Sequence, residues 1–188
     1  MNDKKGEEYY NNQKLMFKGD YYNGRRWNGA IYNYEGKEEY EIKHGKGKGK
    51  EYYKNGRILF EGEYLNGLRN GKGKEYYENG GLLFEGEYLN GLRNGKGNEY
   101  YENGQLLFEG EYLNGLINGI GKEYKNNKLV FEGEYLNDKR KGKGKEYKNN
   151  KLIFEAKYLN NKRNGKGKEF DYNGKLIYNG KFKDGKKL

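Results

Sequence analysis

The sequence predicts an all-β fold: an elongated array of about seven antiparallel hairpins forming one long, twisted and grooved sheet. Three observations lead there. A block of about two dozen residues recurs almost unchanged, as FEGEYLNGLRNGKGKEYYENGGLL from Phe60 and FEGEYLNGLRNGKGNEYYENGQLL from Phe84, with copies from Phe108, Phe131 and Phe154. Inside it, Phe84, Gly86 and Tyr88 share one parity while Leu83, Glu85, Glu87 and Leu89 share the other, the two-residue alternation of a strand. Asn90-Gly91 and Asn103-Gly104 supply two turns per block, since both residue types tolerate positive φ. Units of this length cannot bury an apolar face alone and must stack on neighbours.

Composition sets the kind of core. Of 188 residues, 32% are hydrophobic and about half of these are aromatic, with 22 Tyr, 8 Phe and one Trp. With 32 Gly, one Val, two Ala and no Pro, Cys, Ser or Thr, a Leu/Ile/Val interior is excluded. Burial must come from rings and leucines packed on glycine and on lysine stems. A charged fraction of 35% at low hydrophobicity would ordinarily mark disorder. Phe, Gly and Tyr kept in phase over five blocks argue for a folded chain instead.

Taken in order, residues 1–16 read as a half-unit, because Gly6-Glu-Glu-Tyr-Tyr matches Gly97-Asn-Glu-Tyr-Tyr. Residues 17–59 hold two worn units. Phe17, Gly19 and Tyr21 open the first, which contains Trp27. The second keeps Tyr40 and the Gly47 and Gly49 pair, with Gly36 and Glu38 where Phe and Gly belong. Five regular units fill 60–177, and 178–188 is a basic half-unit ending on a first strand. Roughly fifteen strands at about 4.8 Å spacing give a body near ~70 Å long.

The turns fix an expected register. A two-residue turn at Asn90-Gly91 sets Gly86 opposite Gly95, Phe84 opposite Gly97 and Glu85 opposite Lys96. The same geometry pairs Glu61 with Lys72, Glu132 with Lys143 and Glu155 with Lys166, and a wider turn would shift every pair. The blocks from Phe108 and Phe131 are one residue shorter, with Asn126-Asn127 and Asn149-Asn150 at the second turn. A deletion within a strand would send every later side chain to the wrong face. The missing residue is therefore expected in the turn, giving a three-residue loop with Asn in the left-handed position.

The spacing Phe/Tyr-x-Gly-x-Tyr-x-x-Gly-x-x-x-Gly-x-Gly, carried by Phe84, Gly86, Tyr88, Gly91, Gly95 and Gly97, resembles the MORN repeat (membrane occupation and recognition nexus) over about residues 17–188. Two departures stand out: Tyr where the family usually has Trp, as at Tyr64, Tyr88, Tyr112 and Tyr135, and Ala156 in place of a first Gly. The resemblance implies a twisted sheet acting as a scaffold, a dimerisation module or an adaptor at membranes or the cytoskeleton. It also implies that any chemistry belongs to other domains, and bacterial arrays similar to these are labelled antitoxins in some families.

The inventory for catalysis is nearly empty, and the chain is expected not to be an enzyme and to need no cofactor. Without Ser, Thr or Cys there is no common hydroxyl or thiol nucleophile. No disulfide or thiolate metal site is available, and the single histidine, His44, falls in a predicted turn, which rules out a histidine-rich metal site. Glu61/Glu63 and Glu85/Glu87 mimic an acid/base pair, but they recur in four of the five regular units, as a charged sheet face does. Gly45-Lys-Gly-Lys-Gly-Lys50 lacks the ending of a phosphate loop. The aromatic stripe of Phe60, Tyr64, Phe84, Tyr88, Phe108, Tyr112, Phe131, Tyr135, Phe154 and Tyr158 has two readings, a repeat core or an exposed ladder for a peptide or for bases. The core is the reading adopted, partly exposed in the hollow of the sheet.

Charge is uneven along the chain. Residues 60–107 carry five Lys/Arg against eight Glu, whereas 131–188 carry seventeen Lys/Arg against eight acids. Lys139, Arg140, Lys141, Lys143, Lys162, Arg163, Lys166, Lys168, Lys181, Lys183, Lys186 and Lys187 are the candidate interaction surface. A protein partner or self-association is expected. An anionic membrane surface is the first alternative, and an antitoxin-like or nucleic-acid-binding role is less favoured; no small-molecule substrate is expected. No apolar run approaches the ~18 residues of a membrane span. MNDKKGEEYY lacks a secretion signal, so the expected location is intracellular, in the cytoplasm or at a membrane or cytoskeletal periphery.

Overall fold

The computed structural model describes residues 4–188, among which strands and turns alternate without a helix. The chain divides into two compact units, Met1–Arg93 and Asn94–Leu188. In the first, β1 (Lys4–Tyr9), β2 (Leu15–Tyr22), β3 (Arg25–Tyr32), β4 (Glu38–Lys43), β5 (Lys46–Tyr52), β6 (Ile58–Leu65), β7 (Leu68–Tyr76) and β8 (Leu82–Leu89) pair antiparallel in chain order, from β1 with β2 to β7 with β8. The strand β9 (Leu92–Tyr100) carries the chain into the second unit. There β10 (Leu106–Leu113), β11 (Leu116–Lys125), β12 (Lys128–Leu136), β13 (Lys139–Lys148), β14 (Lys151–Leu159), β15 (Lys162–Phe170), β16 (Leu176–Lys183) and β17 (Lys186–Lys187) continue the same order from β9. The all-β hairpin array is as the alternation predicts. The described strands number seventeen rather than about fifteen, because the last half-unit begins a second strand with β17.

The hairpin turns are the two-residue kind the sequence points to. Asn66 and Gly67 both have positive φ, and Leu65 pairs with Leu68 across them. Beyond the turn the expected register fails. Tyr64 pairs with Arg69, but the next pair is Gly62 with Gly73, so two extra residues bulge from β7. Gly71 lies in that bulge at φ +89°, a left-handed value, and a Cβ there would collide with the Glu63 carboxylate. That carboxylate accepts the backbone N–H of Lys72 at 3.3 Å. Glu111 does the same for Ile120 at 2.9 Å, and Glu134 for Lys143 at 3.1 Å. The bulge therefore replaces the predicted pairs by Glu61 with Lys74, Glu132 with Lys145 and Glu155 with Lys168. A carboxylate at alternating positions caps the displaced amides, and a sequence read strand by strand gives no sign of it.

The shortened blocks behave as expected in placing the deletion at the turn, though not in its form. The longer blocks close by a five-residue loop between Tyr100 and Leu106, and the shorter ones by Asn126-Asn127 with Lys125 paired to Lys128. Both asparagines take positive φ. The second worn unit also differs from its sequence alignment. Its hairpin turns at His44-Gly45, Ile42 pairs with Gly47 without a bulge, and Tyr40 pairs with Ile31. Tyr40 thus takes the Phe position and Ile42 the Tyr position, because the unit is short at its first turn.

One face of each unit, the ring face, is its core. Phe17, Phe60, Phe84, Phe108, Phe131 and Phe154 are buried, as are Tyr88, Tyr112, Tyr135 and Tyr158. The rings of Phe17, Phe60, Phe108 and Phe131 each lie on the glycine pair of their own hairpin: a Cβ placed on Gly62 or Gly73 would stand 2.7 or 2.6 Å from the Phe60 ring. Tyrosines of the same and the next hairpin meet that ring edge-on, with centroids 5.8 Å away for Tyr64 and 5.2 Å for Tyr88. A fully buried ring contributes about 1.5–3 kcal/mol, so this ladder is the main source of stability. Gly73→Ala should then lower stability by about 1–3 kcal/mol through overpacking. Gly104→Asn, in an open loop at φ +79°, should change it by less than about 1 kcal/mol; urea-unfolding midpoints of the two variants test the contrast.

Candidate interaction surface

On the ring face, side chains from adjacent repeats close over each Phe. Arg69 places its guanidinium 4.0 Å from the Phe60 centroid, Arg93 sits 4.1 Å from that of Phe84, and Arg140 3.9 Å from that of Phe131. Each arginine forks onto a glutamate of the preceding repeat. Arg69 donates to Glu51 at 2.9 and 2.6 Å, Arg140 to Glu123 at 2.8 and 2.5 Å, and Arg163 to Glu146 at 2.8 and 2.5 Å. The same carboxylates accept the hydroxyls of Tyr64, Tyr135 and Tyr158. Arg26, Tyr21 and Glu8 form the lock at the start of the chain. In Glu75 the carboxylate takes Tyr88, Arg93 and Arg69 together.

These locks set the titration of the ring face. Burial alone would raise the Glu75 carboxyl, but Arg93, helped by Tyr88 and Arg69, outweighs it and holds the group below its usual range. The same balance lowers Glu51, Glu123 and Glu146. Tyrosines move the other way. Burial first and Glu8 second push Tyr21 up to about 12, and burial with Glu75 raises Tyr88.

The opposite face carries rows of Lys and Glu. Lys74 stands between Glu61 and Glu85, and Lys72 opposite Glu87. In the second unit Lys122 contacts Glu109 at 2.9 Å and Lys145 contacts Glu132 at 3.2 Å, and Tyr124 and Tyr147 donate to the same two glutamates. The row breaks at the last repeats. Lys143 pairs with Lys157, and Lys166 with Lys181, where the earlier repeats oppose Lys to Glu. A hollow of about 500 Å³ lies here, lined by Lys143, Lys145, Lys157, Lys166 and Lys168 among others.

The family comparison fits this geometry. The MORN repeat matches residues 60–82, 84–106, 108–129 and 131–152, each match beginning at the buried Phe of its hairpin. A MORN repeat variant matches 45–66 and 163–184. The chain belongs to the MORN-repeat family. No curated protein matches it. MORN repeats are generally associated with protein or membrane interaction and are typically non-enzymatic.

Within this MORN array the sequence-predicted residues separate. The aromatic stripe is core, with Tyr64 half-buried and tied to Glu51. Arg140 and Arg163 sit in the locks rather than facing outward. Lys187 is paired with Glu169 and lies 4.8 Å from the Tyr178 ring centroid. Lys139, Lys141, Lys143, Lys162, Lys166, Lys168, Lys181, Lys183 and Lys186 are exposed. Three lysines that line the hollow, Lys122, Lys145 and Lys157, escaped the sequence reading as site residues. Lys157 could have been found by column, since it occupies the second Glu position of the repeat.

The lowered glutamates contribute stability that is present above the ordinary pKa of about 4.3 and lost as pH falls through their folded values. The raised tyrosines contribute stability that is full below about pH 10 and lost as pH climbs through their higher folded values. Thermal unfolding should therefore show a plateau between about pH 5 and pH 10 with losses on both sides. Glu75→Gln should cost about 1–3 kcal/mol at pH 7, and progressively less as pH falls through the lowered range in which the folded Glu75 carboxyl takes up its proton.

Proposed function

We infer that this chain is a non-catalytic scaffold that receives a protein partner, or a second copy of itself, on the charged face of its sheet. The observation that carries the reading is a set of exposed leucines at the turn ends of that face: Leu65 and Leu89 in the first unit, and Leu113, Leu116, Leu136 and Leu159 in the second. Apolar contacts beside charged rows are the usual makeup of a protein interface, with anchors rimmed by polar groups. The ring face has its polar groups engaged in locks and its rings buried. β1 begins with Lys4 and Lys5, charges that disfavour addition of a further strand. Association through the face rather than by strand addition follows from these features.

Chemical cross-linking in native extract, with mass-spectrometric mapping, tests the reading. Cross-links are expected from lysines of the charged face near the leucines. The triple variant Leu113→Ser, Leu136→Ser, Leu159→Ser should retain its fold, since these side chains are already exposed, and should lose most of the captured partner. A sedimentation mass fixed at that of one chain, with capture unchanged in the triple variant, would overturn it.

A further inference from the structure

The lysine row of the last repeats differs from the rest of the charged face in two ways that point to the same ligand chemistry. Lys143 on β13, Lys157 on β14, Lys166 on β15 and Lys181 on β16 stand on four adjacent strands as directly opposed Lys/Lys pairs. Like charges placed opposite each other disfavour the sheet. Elsewhere the same positions alternate in sign, as Lys48 with Glu63 and Lys72 with Glu87. Adjacent strands lie about 4.8 Å apart, so the row spans roughly 14 Å. The neighbouring row is only partly balanced, by Glu132 against Lys145 and by Glu155 3.9 Å from Lys168.

The second difference lies in the backbone. In three other hairpins the bulge amide after the left-handed glycine donates to the second glutamate of the repeat: Lys72 to Glu63, Ile120 to Glu111 and Lys143 to Glu134. At the β14–β15 bulge the left-handed glycine is Gly165, at φ +88°. The residue facing it is Lys157, whose side-chain carbons would lie 3.7 Å from a Cβ on Gly165. The repeat thus supplies a cation where its sisters supply the anion that caps the amide of Lys166. An oxyanion from outside the chain can meet that amide and the surrounding ammonium groups together, as anions do at concave backbone N–H sites.

We propose that this hollow of β13–β16 binds a compact, soluble anion carrying several phosphate groups, with one phosphate oxygen at the Lys166 amide and the rest held by Lys143, Lys157, Lys166 and Lys181. A flat anionic bilayer fits less well. Lys143, Lys157 and Lys166 line a hollow of about 500 Å³ with Lys181 paired beside Lys166, and Glu132, Glu134 and Glu155 on its walls would be pressed against the lipid headgroups. A small polyphosphate can enter between the lysines while Glu132 and Glu155 keep their pairs with Lys145 and Lys168. The inference is independent of the leucine-based partner reading, since it uses other residues and either can fail alone.

Calorimetric titration of the full chain with tripolyphosphate at physiological salt tests it. Saturable binding near one anion per chain is expected. Lys157→Glu, which restores the residue of the sister repeats, should weaken binding by about tenfold or more, because an attractive contact becomes a repulsive one. The same substitution should raise the melting temperature of the unliganded chain, by removing a like-charge pair and capping the bulge. Lys157→Gln gives an intermediate loss of affinity and covers the case in which the reversal disturbs folding. Lys54→Glu, an equal charge change on an exposed loop of the first unit, should leave binding unchanged. Equal losses in the Lys54 and Lys157 variants, or no saturable binding, overturn the proposal. So does binding to phosphoinositide vesicles, or to a single-stranded oligonucleotide, that tripolyphosphate does not compete away.

Discussion

Everything in this fold depends on a benzene ring lying flat against two residues that have no side chain. At Phe131 the ring occupies the space a Cβ would need on Gly133 or Gly144, at 2.8 and 2.5 Å. That contact explains a composition that sets 32 glycines beside 22 Tyr and 8 Phe. The glycine pair lets the ring sink to the backbone, and the flank of the ring is then open to tyrosines of its own and the next hairpin. Burial of such rings outweighs the exposed ion pairs of the opposite face, which contribute about 0–1 kcal/mol each. The Arg-Glu-Tyr lock above Phe17, Phe60, Phe84, Phe131 and Phe154 adds directionality, because a planar guanidinium forks onto a carboxylate in one orientation.

The worn second unit lacks both the bulge and the lock, whereas β10–β11 keeps the bulge with Ile117 at the arginine position. In a regular hairpin the two extra residues let Arg69 stand opposite Tyr64 while Gly62 still meets Gly73. The β4–β5 hairpin has no bulge and no arginine at that place. It also lacks the other members of the lock: Ile31 stands where the glutamate would be and Ile42 where the tyrosine would be. These two isoleucines pack with Phe17 as a small apolar cluster. A charged triad has been exchanged as a set for an apolar one, as expected when leaving a buried carboxylate without its arginine would cost more than replacing both.

How much of this was legible in the sequence follows from what each feature depends on. Period-two alternation and Asn-Gly turns are local, so strands, turns and the aromatic core could be read directly from Phe84, Gly86, Tyr88 and Asn90-Gly91. The register could not, because it depends on where Glu63 finds a donor, and that donor is a backbone amide nine residues away. Arg140 and Arg163 looked like members of basic clusters because their partners, Glu123 and Glu146, lie 17 residues earlier in the chain. Recurrence in the columns of Arg69 and Arg93 marked them as structural, but only a known register makes that column meaningful. The lysine hollow was visible only as an excess of charge. Its site-like character comes from pairs such as Lys143 with Lys157, which the expected register did not place together.

The two faces also differ in how freely they can change. A substitution on the ring face disturbs a ring, a glycine pair and a three-residue lock at once, so its consequences spread to the next repeat. On the charged face a single exchange such as Glu to Lys at position 157 removes one cap and one exposed pair, each a modest loss. Yet that exchange changes the sign of the local field and leaves a bulge amide open to an external oxygen. A repeat fold built this way concentrates its stability on one face and leaves the other freer to vary, so that a departure from the repeat consensus on the second face changes the local charge at small cost in stability.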